Sequence, residues 1–237
     1  MGYRAGEDVF VESKPFSYVV DPVDPEFCKN VCDSCLKEAN GLFACTKCHE
    51  VYYCSKSCQK NAWESHHEVE CGYLQSIPES LKSMSETRHI LRIVLKLSQN
   101  GKDEFVTLPN GKKRYFADLM SHKDKLEEDA EKMKALKGMF KPFQVWLADK
   151  APSFDEFLEI YGKIKINAVD IEHASGLYLG YSAIDHSCAP NATFFDNGTE
   201  LTIRAIDDIE DFSGTFKNLI LVRVSDFLWL AYVCMKV

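Results

Sequence analysis

From Ser80 to Gln99, apolar residues recur at helical spacing: Leu81, Met84, Ile90, Leu91, Val94 and Leu95 fall on one side and leave a polar face. Asn100-Gly101 supplies the stop signal of this predicted helix. Asn110-Gly111 marks a turn, and the helical period resumes from Phe116 to Leu147 with Glu127, Glu128, Glu131 and Lys132 on its outer side. Pro142 lacks a backbone N–H and is expected to divide that run into two helices. Ser153 with Glu156 forms a capping box opening a further helix through Phe157, Ile160, Tyr161 and Ile164. The period then shortens to two. ATFFDNG and ELTIRAI predict two strands joined around Asn197-Gly198. All the linking helices read as ordinary core with solvated faces.

Two stretches do not follow these patterns. One is the polar cluster Asp185, His186, Ser187, Cys188, Pro190 and Asn191, set between apolar runs; by spacing alone it is either a buried turn or a binding site. The other is Cys32 to Cys71, which reads C-x2-C-x9-C-x2-C-x5-C-x3-C-x8-H-x3-C. Its eight candidate ligands, Cys32, Cys35, Cys45, Cys48, Cys54, Cys58, His67 and Cys71, form four close pairs and suit two tetrahedral zinc ions. A C-x2-C pair can fold as a knuckle around one metal, and residues four apart share a helix face. His66 is a rival to His67, whose x3 gap to Cys71 matches helical reach better. Tyr52, Tyr53, Ala62 and Trp63 would pack around the metals. The segment is poor in aliphatic residues, so metal binding would supply much of its folding energy. Filling all eight positions leaves none open for substrate, so the zincs would be structural.

The chain has 237 residues, which predicts one large or two unequal domains, and its 46% hydrophobic and 27% charged content excludes a disordered or fibrous class. Ten cysteines could instead be disulfides. The start, MGYRAGEDVF, has no apolar signal region, so reduced thiols and an intracellular setting are expected. Cys28, Cys188 and Cys234 stay unassigned. The net charge of −8 argues against nucleic acid, and two zincs on seven thiolates would take it to about −11. No eighteen-residue apolar run occurs; Arg223 and Asp226 interrupt the tail, so no membrane partner is expected.

The stretch containing YYCSKSCQKNAWESH resembles a MYND zinc finger, and AIDHSCAPNATF followed by IRAIDDIE resembles the N-H-S-C-x-P-N core of a SET domain. Together they are similar to the SET and MYND domain (SMYD) family over roughly Met1 to Glu210. The resemblance implies an α+β fold in which small SET-type β-sheets are split by an inserted two-zinc finger and a helical linker. The corresponding divisions are a partial SET segment at 1–27, the finger at 28–73, helices at 74–166, the SET core at 167–210 and a non-family tail at 211–237. It implies interleaved zinc pairing, Cys32/Cys35/Cys54/Cys58 and Cys45/Cys48/His67/Cys71. It further implies a protein-lysine N-methyltransferase acting on histone or other proteins with S-adenosylmethionine, in the cytoplasm and nucleus, and a proline-rich peptide as a partner for the finger. By position the cofactor contacts fall on Asp185, His186, the Ser121-His122 step and Asn167. Asp185 stands where the family commonly has Asn and so loses an amide donor. The Gly-rich cofactor loop is not recognisable, and gapless register puts Leu219 where the family has a tyrosine bordering methyl transfer. A truncated or alternative form is therefore expected, with a tail lacking any packing partner. The alternative function is a catalytically silent MYND adaptor.

Overall fold

The computed structural model describes residues 2–20, 28–76, 85–147, 150–186, 190–210 and 220–221. The expected start of the first linker helix at Ser80, together with Pro78, Ser187, Cys188, Leu219 and Cys234, lies outside them.

β1 (Asp8–Glu12) and β2 (Ser17–Val20) come first in the chain but complete their sheets with strands from its far end. β10 (Ala192–Asn197) and β11 (Glu200–Ala205) form the expected hairpin, in register from Ala192↔Ala205 to Asn197↔Glu200, with Gly198 at φ 64° making the turn. β1 adds antiparallel to β11, with a bulge between Asp8 and Phe10. β9 (Asp185–His186) and β12 (Ile220–Leu221) complete a five-stranded sheet of order β1-β11-β10-β12-β9. The expectation of a tail without a packing partner is corrected at Ile220–Leu221, which pairs in parallel with both β9 and β10. β2 pairs with β8 (Ala174–Leu177), and β8 with β7 (Ala168–Ile171), in a three-stranded sheet. The finger and the linking helices therefore lie between β2 and its own partner strand, as an insertion. The fold is α+β, with small sheets around an inserted finger.

Within the insertion, β3 (Phe43–Ala44) and β4 (Tyr52–Tyr53) form a short ribbon. It is followed by α1 (Lys56–Ala62), a wide turn at Trp63–His67, and α2 (Glu68–Ser76). α3 (Ser85–Ser98) follows, closed by Asn100 at φ 83°. β5 (Phe105–Thr107) and β6 (Lys113–Tyr115) turn at Gly111, φ 78°. Three helices complete it: α4 (Lys123–Glu128), α5 (Ala130–Leu147) and α6 (Phe154–Asn167), the last opened by the Ser153/Glu156 capping box.

Two expectations about these helices are corrected. Pro142 does not divide α5, which runs on to Leu147; the break falls at Asp129. The ring would crowd the carbonyl four residues earlier, on Gly138, but Gly138 is exposed, so that carbonyl can be solvated, and Phe140, Phe143 and Leu147 pin the helix on both sides of the proline. The polar face of α3 is not solvated either: every residue from Thr87 to Leu95 is buried. Its apolar side joins Leu136, Phe140, Phe143 and Phe157 and the finger's Tyr53, Tyr73 and Leu74 in one cluster. A second cluster fills the sheets, with Val9, Tyr178, Ala192, Leu201, Ile203 and Ala205.

Candidate metal centres and cofactor site

In each C-x2-C knuckle the chain reverses at the residue after the second cysteine. Leu36 and His49 adopt left-handed φ of 58° and 60°, and their N–H groups bond back to the Cys32 and Cys45 carbonyls at 2.9 and 3.0 Å. Ser55 caps α1 by accepting from the Cys58 N–H, which places Cys58 one turn into the helix and Cys54 just ahead of it. The Trp63–His67 turn and the start of α2 aim His67 and Cys71 inward.

The structure brings the eight candidates together as two groups, Cys32/Cys35/Cys54/Cys58 and Cys45/Cys48/His67/Cys71, with the ligand atoms of each within 4.8 Å of one another. A tetrahedral zinc with ~2.3 Å Zn–S bonds needs sulfurs about 3.8 Å apart, and about 3.6 Å from sulfur to imidazole nitrogen. The observed separations are 3.8 Å for Cys35–Cys54, 3.8 Å for Cys45–Cys71, 3.5 Å for Cys54–Cys58 and 3.6 Å from Cys48 Sγ to His67 Nε2. The donor sets fit zinc. All eight described cysteines are free thiols, so none of them forms a disulfide. Burial pushes the Cys32 and Cys48 thiols up, whereas for Cys45 the same effect is outweighed by the Cys48 amide and the His67 side chain, which bring it down to about 6.

His66 stands outside both groups. It lies 3.5 Å from Asp33 Oδ2 and forms a third cluster with Asp33 and Glu70. That cluster is no metal site, because two guanidinium groups already fill it. Arg88 bonds Asp33 and Glu70 at 3.0 Å each, while Arg92 reaches Asp33 at 2.7 Å, Glu70 at 2.9 Å and the Tyr18 carbonyl of β2 at 2.8 Å. Glu70 also meets His67 Nδ1 at 3.3 Å, a carboxylate partner of the kind that orients metal-ligating histidines. All four members are buried. Burial would raise both carboxyls, but the arginines hold Asp33 below and Glu70 well below the ordinary range. Sequence reasoning missed this network. Its one local signal was two arginines four apart on α3, each of them plausible on a solvated face.

Asn167, at the end of α6, donates both amide hydrogens to carbonyls: Met120 at 2.9 Å and Lys163 at 2.8 Å. It thus clamps the backbone just ahead of the Ser121-His122 step. Ser121 donates to Glu159 at 2.8 Å, and Lys163 bonds the Phe116 and Ala117 carbonyls at 3.1 and 3.3 Å. His122 is exposed at φ 45° just before α4. Asp185 is exposed on β9. Arg114, at the other end of the same segment, bonds the Ser182 side chain and carbonyl at 3.0 and 2.9 Å, three residues ahead of Asp185. No described contact joins Asp185 to Asn167 or His122 directly; residues 114–122 span between them.

A Cβ on Gly162 would sit 2.2 Å from the Ser121 carbonyl oxygen, a backbone atom that cannot step aside. Gly162→Ala is expected to cost about 1–3 kcal/mol in thermal unfolding. Gly138→Ala, with nothing within 4 Å, should instead stabilise by about 0.5–1 kcal/mol.

The MYND finger family model matches residues 32–71. The chain is 34% identical to a human protein named histone-lysine N-methyltransferase SMYD3 over 229 residues, covering 87% of this chain and 48% of that one. It is 32% identical to the Arabidopsis thaliana histone-lysine N-methyltransferase ASHR1, covering 87% and 43%, and 26% identical to the zebrafish (Danio rerio) N-lysine methyltransferase SMYD2-A, covering 80% and 44%. The chain spans about half the length of the curated relatives it matches.

Proposed function

We propose that this chain, which carries a MYND finger and is homologous to SMYD-family methyltransferases over most of its length, is the cofactor-binding and zinc-finger portion of an S-adenosylmethionine-dependent protein-lysine N-methyltransferase. The observation that carries the reading is that likeness, which covers 87% of the chain and so extends well beyond the finger. Zinc holds the finger through Cys32, Cys35, Cys54 and Cys58 at one centre and Cys45, Cys48, His67 and Cys71 at the other. Asp185 and His186 on β9 contact the cofactor, with the Ser121-His122 step beside them and Asn167 fixing that step through the Met120 carbonyl.

When bound, the cofactor supplies an electrophilic methyl on a sulfonium. The exposed carboxylate of Asp185 complements that positive charge, and the anchored 119–122 segment restricts where the cofactor can lie. The substrates are proteins presenting a lysine whose amine reaches the site deprotonated. A proline-rich peptide is the partner proposed for the finger.

Incubation with methyl-labelled S-adenosylmethionine and lysine-bearing proteins, with the products read by mass spectrometry, tests the activity; label on lysine supports it. Saturable cofactor binding with no transfer to any protein would favour the adaptor reading, in line with a complete finger and no assigned catalytic residue among the described ones. His186→Ala is expected to weaken cofactor binding at least tenfold while the unfolding transition stays in place, an estimate based on the loss of one hydrogen bond to a charged ligand. Loss of the folded signal would instead assign that stretch to a buried turn.

A further inference from the structure

Glu12 ends β1 opposite Leu201 of β11 and is only 5% exposed. Its carboxylate accepts the N–H groups of three consecutive residues, Leu179 and Gly180 at 2.9 Å and Tyr181 at 3.2 Å. Successive amides converging on one acceptor form a concave anion site, here filled from within the chain. The fit leaves no room for a side chain at 180, where a Cβ would lie 2.3 Å from the Phe10 ring and 2.8 Å from Glu12 Oε2. The gripped residues lead through the Tyr181–Ala183 turn straight into β9. Arg114 holds the same turn from the other side through Ser182. Burial raises the Glu12 carboxyl to about 7, against the three amides, which lower it. Of the charged groups on the neighbouring elements, Asp8 and Arg204 pair with each other, Arg114 is held on Ser182, and Glu200 and Asp185 are exposed. The titratable neighbour within its field is Tyr178, whose hydroxyl donates to the Thr199 carbonyl at 3.0 Å.

We propose that Glu12 is a positioning residue for β9: its ionised carboxylate, by gathering the Leu179–Tyr181 amides, sets where Asp185 and His186 stand, and the grip slackens when the carboxylate takes a proton. A neutral carboxyl keeps one good acceptor and adds a donor that these amides cannot use. The consequence for binding rests on the proposed cofactor role of Asp185 and His186; the placement itself does not. Because the folded chain binds this proton more tightly than the unfolded one, the stability contributed by Glu12 is full below pH about 4.5 and is lost as pH rises through about 7.

The test is amide NMR of the zinc-loaded full chain between pH 6 and 8.5, with the Glu12 side-chain carboxyl carbon followed in parallel. In the wild type, the amides of Leu179, Gly180 and Tyr181 should shift together with those of Ile184 and Asp185, at the midpoint of the Glu12 carboxyl itself. Glu12→Gln should abolish this shared component. Titration at 179–181 without Ile184 and Asp185, or a shared component that survives in Glu12→Gln, would overturn the proposal; the wild-type comparison decides it even if the variant does not fold. S-adenosylhomocysteine should bind about tenfold more weakly to the wild type at pH 6 than at pH 8.5, with no such change in Glu12→Gln. If it binds at no pH, the cofactor reading fails while the amide titration still decides the role of Glu12.

Discussion

Cys45→Ser is expected to leave the chain with close to one zinc in place of two and with the finger unfolded around the second centre. All four ligands there are buried, including His67 at 0% exposure, and a three-ligand site cannot close a structural tetrahedron. Structural zinc contributes roughly 10–16 kcal/mol of apparent binding energy to small fingers, so losing one ion is comparable to the whole stability of an ordinary domain. His67→Ala should behave alike. Cys54→Ser, at the exposed end of the first group, is expected to release the other zinc with a smaller fall in thermal stability, because only one of that centre's four ligands, Cys32, is buried. Zinc analysis with thermal unfolding checks all three. Full zinc content in Cys45→Ser or His67→Ala would show the ligand grouping to be wrong.

Arg92→Met is expected to cost about 3–5 kcal/mol, the usual penalty for removing one partner of a buried ion network. Arg92 is the residue through which finger, helix and sheet meet: one guanidinium touches Asp33, Glu70 and the β2 carbonyl of Tyr18. Its loss leaves Arg88 as the one arginine on Asp33 and Glu70 and loosens the carboxylate that orients His67. The second zinc should therefore be taken by chelators faster than in the wild type, while the first should not. A chelation rate at the second centre unchanged from the wild type would mean that Glu70 does not transmit the change to His67.

The contrast between these two variants also marks what could be read in the sequence. The zinc ligands were legible because knuckles and helical turns are local, so spacing lays out the four pairs; their interleaving into two groups was an expectation from the resemblance to MYND fingers. So were the Ser153/Glu156 cap, the Asn110-Gly111 turn and the hairpin around Gly198, each decided by a few adjacent residues. Asp33, Glu70, Arg88 and Arg92 were not, since their meaning comes only from long-range contact. Nothing near Arg92 in the chain signals two carboxylates that arrive from the finger. Glu12 was hidden in the same way, its three amides lying more than 160 residues downstream. Pro142 was misjudged because its local cost, a missing N–H and a ring crowding the Gly138 carbonyl, is outweighed by the burial of Phe140, Phe143 and Leu147 on both sides of it.

Calorimetric titration of the zinc-loaded chain with S-adenosylmethionine tests the central claim most directly. The account predicts saturable heat at a stoichiometry of one cofactor per chain, reduced in His186→Ala. No detectable heat at millimolar cofactor, from protein whose two zincs and unfolding transition are intact, would contradict it.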